Sequence, residues 1–195
     1  MLKAGLTGNI GSGKSIVASV FLSLGIPVFA ADEESKKILK LPEVSNEIAR
    51  LFGEGIIVNG LIDNRKLASV VFGDLQALNS LNKLMHPLVM KVFNDWLKAN
   101  TMVPYVIMES AILFESGYAK EFDRLIHVSC PEEIAVARVI QRDGLAPGLV
   151  LERVKHQLKN DDKARMSDFV IINDGSILLI PQVLAIHKKL LQGSP

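Results

Sequence analysis

Residues Gly8 to Ser15, reading GNIGSGKS, place three glycines, a lysine and a serine directly after an apolar run. The spacing Gly8-x-x-x-x-Gly13-Lys14-Ser15 is that of a phosphate-binding loop. Glycines let such a loop turn without Cβ clashes, so that the N–H groups of Asn9, Ile10, Gly11, Ser12 and Gly13 can converge on phosphate oxygens. Lys14 would reach the β- and γ-phosphates, and the Ser15 hydroxyl is a ligand for Mg²⁺. The competing reading is a glycine-rich turn that holds nothing. With glycine at about 7% of average composition, the full pattern arises by chance in roughly one chain of this length in a hundred. A dinucleotide fingerprint beginning at Gly11 and Gly13 needs a third glycine where Ile16 stands, so the expected ligand is a nucleoside triphosphate and not NAD.

Other residues could serve a phosphoryl transfer, which needs a base for the acceptor and cations over the moving group. Asp32 ends the stretch PVFAAD and has two readings: a cap for a helix over 33–39, or the general base. Arg138 and Arg142 stand four apart on a helix starting near Pro131. That like-charge spacing costs a few tenths of a kcal/mol, which a bound phosphate would reverse. Pairing with Glu133 or Asp143 explains them equally well. Glu109 closes the apolar stretch YVIMES, as a carboxylate near Mg²⁺ does in ATPase motors, and is a further candidate metal residue. A guanine-reading element is missing, because the nearest stretch, Asn82-Lys83-Leu84-Met85, ends in methionine.

These residues need a scaffold. Short apolar strands are expected at Leu2–Thr7, Pro27–Ala30, Tyr105–Met108, Arg124–Val128 and Phe169–Ile172, separated by helical patterns. That alternation predicts a parallel α/β sheet covered on both faces, with a helix over 14–24 following the loop. Residues 32–100 show no convincing strand and read as a helical insertion. Leu75, Leu78 and Leu81 mark one of its helices; Val89, Val92, Phe93 and Trp96 mark another beyond a turn at Pro87. Both stripes read as insertion core. Residues 144–165 carry Arg153, Lys155, Lys159, Lys163 and Arg165, which read as a solvated face unless something anionic lies beneath.

The chain has 195 residues, is 49% hydrophobic and carries a net charge of +1, so no global field favours nucleic acid or a membrane surface. The single cysteine, Cys130, excludes an internal disulfide and reads as a packed thiol. The strand pattern begins at Leu2 without a basic region before it, and no apolar run approaches the roughly 20 residues of a membrane span. The expectation is a soluble, cytoplasmic protein, a monomer or weak homo-oligomer.

Taken in order, GLTGNIGSGKS, PVFAAD, LNKLMHPLV, AILFESG, RVIQRD and DFVIINDG resemble the dephospho-coenzyme A kinase family along nearly the whole chain. The resemblance implies a three-layer P-loop NTPase fold: a core of 1–31 and 101–195, an acceptor-binding helical insertion of 32–100, and a lid at 144–165. It implies transfer of the γ-phosphoryl of ATP, with Mg²⁺, to the 3′-hydroxyl of the ribose of dephospho-CoA. Asp32 would take the acceptor's proton, Arg142 would bridge the transferring phosphates with Arg138 near it, and His86 would shape the acceptor pocket or pack in a turn. Asn173 and Gly175 would flank adenine. Three positions depart from the family pattern: Ala30 where an acid is usual, Ile16 in place of threonine, and Ala111 in place of proline. Another nucleoside or nucleotide kinase, or a nucleotide-dependent binding module, remains the alternative.

Overall fold

The computed structural model describes residues 1–193. The chain runs through β1 (Leu2–Thr7), α1 (Lys14–Ser23) and β2 (Val28–Ala30), then directly into α2 (Ala31–Ile38) and α3 (Pro42–Phe52). A hairpin of β3 (Ile57–Val58) and β4 (Leu61–Ile62) precedes α4 (Asn64–Val71) and α5 (Leu75–Lys98). The remainder holds β5 (Tyr105–Glu109), β6 (Arg124–Ser129), α6 (Glu132–Asp143), α7 (Pro147–Lys155), α8 (Asn160–Arg165), β7 (Phe169–Ile172) and α9 (Leu179–Gln192). The chain divides into two compact units, Met1–Ala30 with Ala99–Pro195, and Ala31–Lys98. No helix among the described residues is long and apolar enough to cross a membrane.

The first unit is built on a parallel sheet in the order β2-β5-β1-β6-β7. Its strands read as unbroken apolar runs because both faces are covered. One face sets Ala4, Leu6, Tyr105, Ile107, Ile126 and Val128 against Val17 and Phe21 of α1 and Val183, Ile186 and Leu190 of α9. Tyr105, fully buried, packs edge-on to Phe21 and finds its hydrogen-bond partner in His187 Nδ1 at 2.6 Å. On the other face, Leu113, Phe122 and Leu125 close so tightly over Gly5 that a Cβ there would lie 2.8 Å from Leu113. β1 is thus the central strand, and it delivers the phosphate-type loop from its carboxyl end.

The second unit packs α2, α3 and α4 around α5. Its core is Val44 and Ile48 of α3, Leu67 and Val71 of α4, and Met85, Val89 and Phe93 of α5. Asp63 caps α4 by accepting from Arg65 N and Lys66 N.

Three expectations are corrected here. The two helices read on either side of Pro87 are one 24-residue helix, with Pro87 inside it. Proline removes one backbone bond, but the apolar face continues from Met85 through Val89 to Phe93, and that burial holds the helix across the defect. The leucine stripe is only partly enclosed, since Leu75 is 64% exposed while Leu78 and Leu81 are half-buried. The insertion also contains the β3–β4 hairpin, whose Asn59-Gly60 turn has both residues at positive φ (52° and 76°), the signature of a type I′ turn.

Candidate active site

Between β1 and α1 the loop of residues 8–13 turns on glycines that admit no substitute. Gly11 has φ +78° and a Cβ there would lie 2.2 Å from Ala135 O; Gly13 has φ +93° and its Cβ would lie 2.1 Å from Asn173 Nδ2. Gly13 is the N-cap of α1 and offers no side chain. The helix's first-turn N–H groups and its positive end are therefore available to an anion.

Asn173, at the end of β7, donates its Nδ2–H to Ser12 O at 2.7 Å and is nearly buried. This contact sets the residue behind the loop, a role that a reading from the closing motif alone does not contain. Arg138 donates to Asn173 O at 3.2 Å and stands 3.5 Å from the buried Cys130 sulfur. Burial pushes the Cys130 thiol up, in keeping with a packed group. Gly175 follows in an open turn at φ +90°, where Asp174 accepts from the Ser176 backbone and hydroxyl.

Lys14 is 7% exposed and its Nζ donates to Asn9 O at 3.3 Å, so the ammonium curls over the loop. Ser15 Oγ donates to Glu109 Oε1 at 3.1 Å. Glu109 ends β5 as the register partner of both Leu6 on β1 and Ala30 on β2. The carboxylate thus stands beside the position where the family pattern departs at Ala30. A hydroxyl and a carboxylate oxygen within 3.1 Å are hard donors. They fit Mg²⁺, which takes one or two protein oxygens and completes its shell with phosphate and water. No cluster of three or more His, Cys, Asp or Glu able to hold a metal occurs among the described residues.

The remaining candidates are placed differently. Arg142, on α6, is bound through Nε and Nη2 to both oxygens of its neighbour Asp143 at 2.7 and 2.8 Å, with its side chain 64% exposed. Of the pairings left open by the sequence, this is the one observed. Asp32 and His86 belong to the second unit. α2 begins one residue before Asp32, so Asp32 lies in the first turn instead of at the cap; its carboxylate is exposed. His86 is half-buried within α5, and burial lowers its pKa.

The charged stretch 144–165 is not uniformly solvated. Lys163 is fully buried with Nζ 2.8 Å from Glu115 Oε1, so an anion does lie beneath it, and that anion is the chain's own carboxylate. Gln157, which lies between α7 and α8, accepts from Ile10 N at 2.9 Å. Neither Gln157 nor Glu115 was picked out from the sequence as a site residue, although Glu115 lies in the quoted segment AILFESG. Asn160 completes the surroundings: it donates to Ser129 Oγ at 2.8 Å, so its Oδ1 takes the Nε2–H of buried His127 at 2.9 Å.

A parallel sheet with its glycine loop at the central strand, a lysine and serine at the helix start, and a carboxylate on the adjacent strand defines a P-loop nucleoside triphosphate-binding protein. The family model of dephospho-CoA kinase matches residues 2–178. The dephospho-CoA kinase of Bacteroides fragilis is 37% identical over 192 residues, covering 98% of this chain and 94% of its own. A crystal structure from Thermus thermophilus superposes with a TM-score of 0.84 at 34% identity, covering 97% of both chains. The dephospho-CoA kinase structure from Campylobacter jejuni has the same fold, with a TM-score of 0.70 at 23% identity over 99% of this chain and 98% of that one. The chain belongs to the dephospho-CoA kinase family.

Proposed function

We propose that the chain transfers the γ-phosphoryl of ATP to the 3′-hydroxyl of the ribose of dephospho-CoA, giving coenzyme A and ADP, with roles divided among its residues as follows. The loop Gly8–Gly13 and the start of α1 cradle the phosphates, and Lys14 supplies the cation for charge that develops on the β- and γ-groups. Ser15, with Glu109 behind it, is the residue set that would hold Mg²⁺, which when bound shields the phosphate oxygens from the incoming nucleophile. Asp32 accepts the proton of the 3′-hydroxyl as its oxygen bonds to the γ-phosphorus and the bond from that phosphorus to the β–γ bridging oxygen breaks. Arg138 supports the loop side through Asn173, and Arg142 bridges the transferring phosphates once it leaves Asp143. His86, half-buried and with its pKa lowered by that burial, contributes to the acceptor site, and Gly175 flanks adenine. Residues 144–165 act as the lid that excludes water.

The observation that carries the Mg·ATP side of this reading is the hydrogen bond from Ser15 to Glu109 beside a helix start with no side-chain cap, and the acceptor rests on the family match over residues 2–178. The test is a coupled ADP-release assay with Mg·ATP and a panel of acceptors. Dephospho-CoA is expected to be the preferred acceptor, with AMP, GMP and nucleosides phosphorylated far more slowly. A common nucleotide as the best acceptor would leave a kinase but overturn the acceptor assigned here.

A further inference from the structure

A hydrogen-bonded bracket adjoins the loop, built from Ala111 and Glu115 together with Gln157, Leu158 and Lys163 of the 144–165 segment. Lys163 Nζ, fully buried, stands 2.8 Å from Glu115 Oε1 and donates to Ala111 O at 2.8 Å. Glu115 Oε1 also accepts from Leu158 N at 2.8 Å, and Ala111 O accepts from Gln157 Nε2 at 3.4 Å. Residues 157 and 158 then meet the loop. Ile10 N donates to Gln157 Oε1 at 2.9 Å, and Asn9 Nδ2 donates to Leu158 O at 3.2 Å. Asn9 O in turn accepts from Lys14 Nζ. A continuous path therefore joins a buried ion pair to the loop's cation.

Gln157 is the member with the strictest chemical demand. Its amide accepts on one side and donates on the other, which neither a carboxylate nor an ammonium can do. A residue needed only to join α7 to α8 requires no bond to a phosphate loop. Burying a lysine and a glutamate is also costly unless both are well satisfied, so the pair fixes residues 157–158 more firmly than a surface contact would.

We propose that Gln157 is a positioning residue for the phosphoryl transfer, seated by the Glu115–Lys163 pair, which fixes the Asn9–Ile10 edge of the loop and through it the place of Lys14. The proposal rests on the kinase reading above. Turnover of dephospho-CoA by the parent chain checks that reading separately, and without that turnover both fall.

The experiment is a set of steady-state kinetics and thermal melts on the full chain with Mg·ATP and dephospho-CoA. It compares the parent with Gln157→Ala, Gln157→Glu, Lys14→Ala and the double variant Lys14→Ala/Gln157→Ala. Misplacing a reacting group by about 1 Å can cost on the order of 10²-fold, so Gln157→Ala is expected to lower kcat/KM for ATP by roughly 10- to 10²-fold. The KM for dephospho-CoA should change by less than about twofold, because the bracket touches only the ATP loop. Gln157→Glu, which keeps an acceptor for Ile10 but loses the donor to Ala111, should do no better. In the Lys14→Ala background the same substitution should cost less than about threefold, since the group it positions is gone. Replacing both charges together, Lys163→Met/Glu115→Gln, leaves no unpaired buried charge and should reproduce the kinetic loss of Gln157→Ala. Parent-like kinetics in Gln157→Ala, or an equal loss in both Lys14 backgrounds, would overturn the proposal; a change confined to melting temperature would do the same.

Discussion

Asp32 stands exposed in the first turn of α2, a place that separates a structural duty from a chemical one. A carboxylate there stabilises the helix dipole by about 0.3–1 kcal/mol, and Asp32→Asn should shift the melting temperature by only a few degrees. Loss of a positioned base costs on the order of 10²-fold in turnover, and kcat measured beside a thermal melt will show which loss occurs. Retained turnover in Asp32→Asn would make the residue a surface charge. At this scale the sequence was most informative where covalent chemistry dictates spacing: Gly13, Lys14 and Ser15 cannot be exchanged without losing a turn, a cation or a hydroxyl. It was silent where a role comes from a distant neighbour. Asn173 lies 161 positions from Ser12, whose carbonyl it braces, and no local pattern encodes that meeting. Gln157 is hidden for the same reason, being one polar residue in a charged stretch until the fold sets Ile10 against it.

Helix α5 carries Pro87 in its interior at an exposed position, and the consequence is measurable at the level of the element. A proline inside a helix costs about 3 kcal/mol, partly offset by its stiffening of the unfolded chain. Pro87→Ala should therefore raise stability by about 1–2 kcal/mol, or a few degrees in Tm, as followed by thermal melting with circular dichroism. A lowered Tm would mean that the pyrrolidine ring itself packs and that the helix is adapted to it. The same element shows why local signals misled. A proline ordinarily ends a helix, and the tertiary burial of Met85, Val89 and Phe93 overrode that preference. The five strands of the parallel sheet were legible because burial on both faces leaves continuous apolar runs. The β3–β4 strands, two residues each, are too short to show any period, and only the Asn59-Gly60 turn could have announced them.

Across the whole molecule, buried polar groups tie stability to pH. His127 is fully buried, and its pKa lies below the usual histidine range through burial first, with the nearby Lys163 and Lys14 charges adding to the effect against the Asn160 hydrogen bond. Its folded pKa is below its unfolded one, so the unfolded chain binds the extra proton as pH falls below about 6.5. Stability should be level above that pH and decline below it, by up to about 1.4 kcal/mol per pH unit from this group. Denaturant melts from pH 7.5 to 5.5 should show the decline, and His127→Gln should flatten part of it; an unchanged slope in that variant would assign the effect elsewhere. The composition did foretell a chain able to bury such groups, but not which histidine would be enclosed. Above the individual groups stands the claim that the loop, Glu109 and Asp32 move a phosphoryl group onto a ribose hydroxyl. The most direct measurement is ³¹P NMR of the products formed from Mg·ATP and dephospho-CoA. ADP and a new 3′-phosphomonoester are expected in equal amounts; inorganic phosphate in place of that ester, or a phosphate on another hydroxyl, would overturn the assignment.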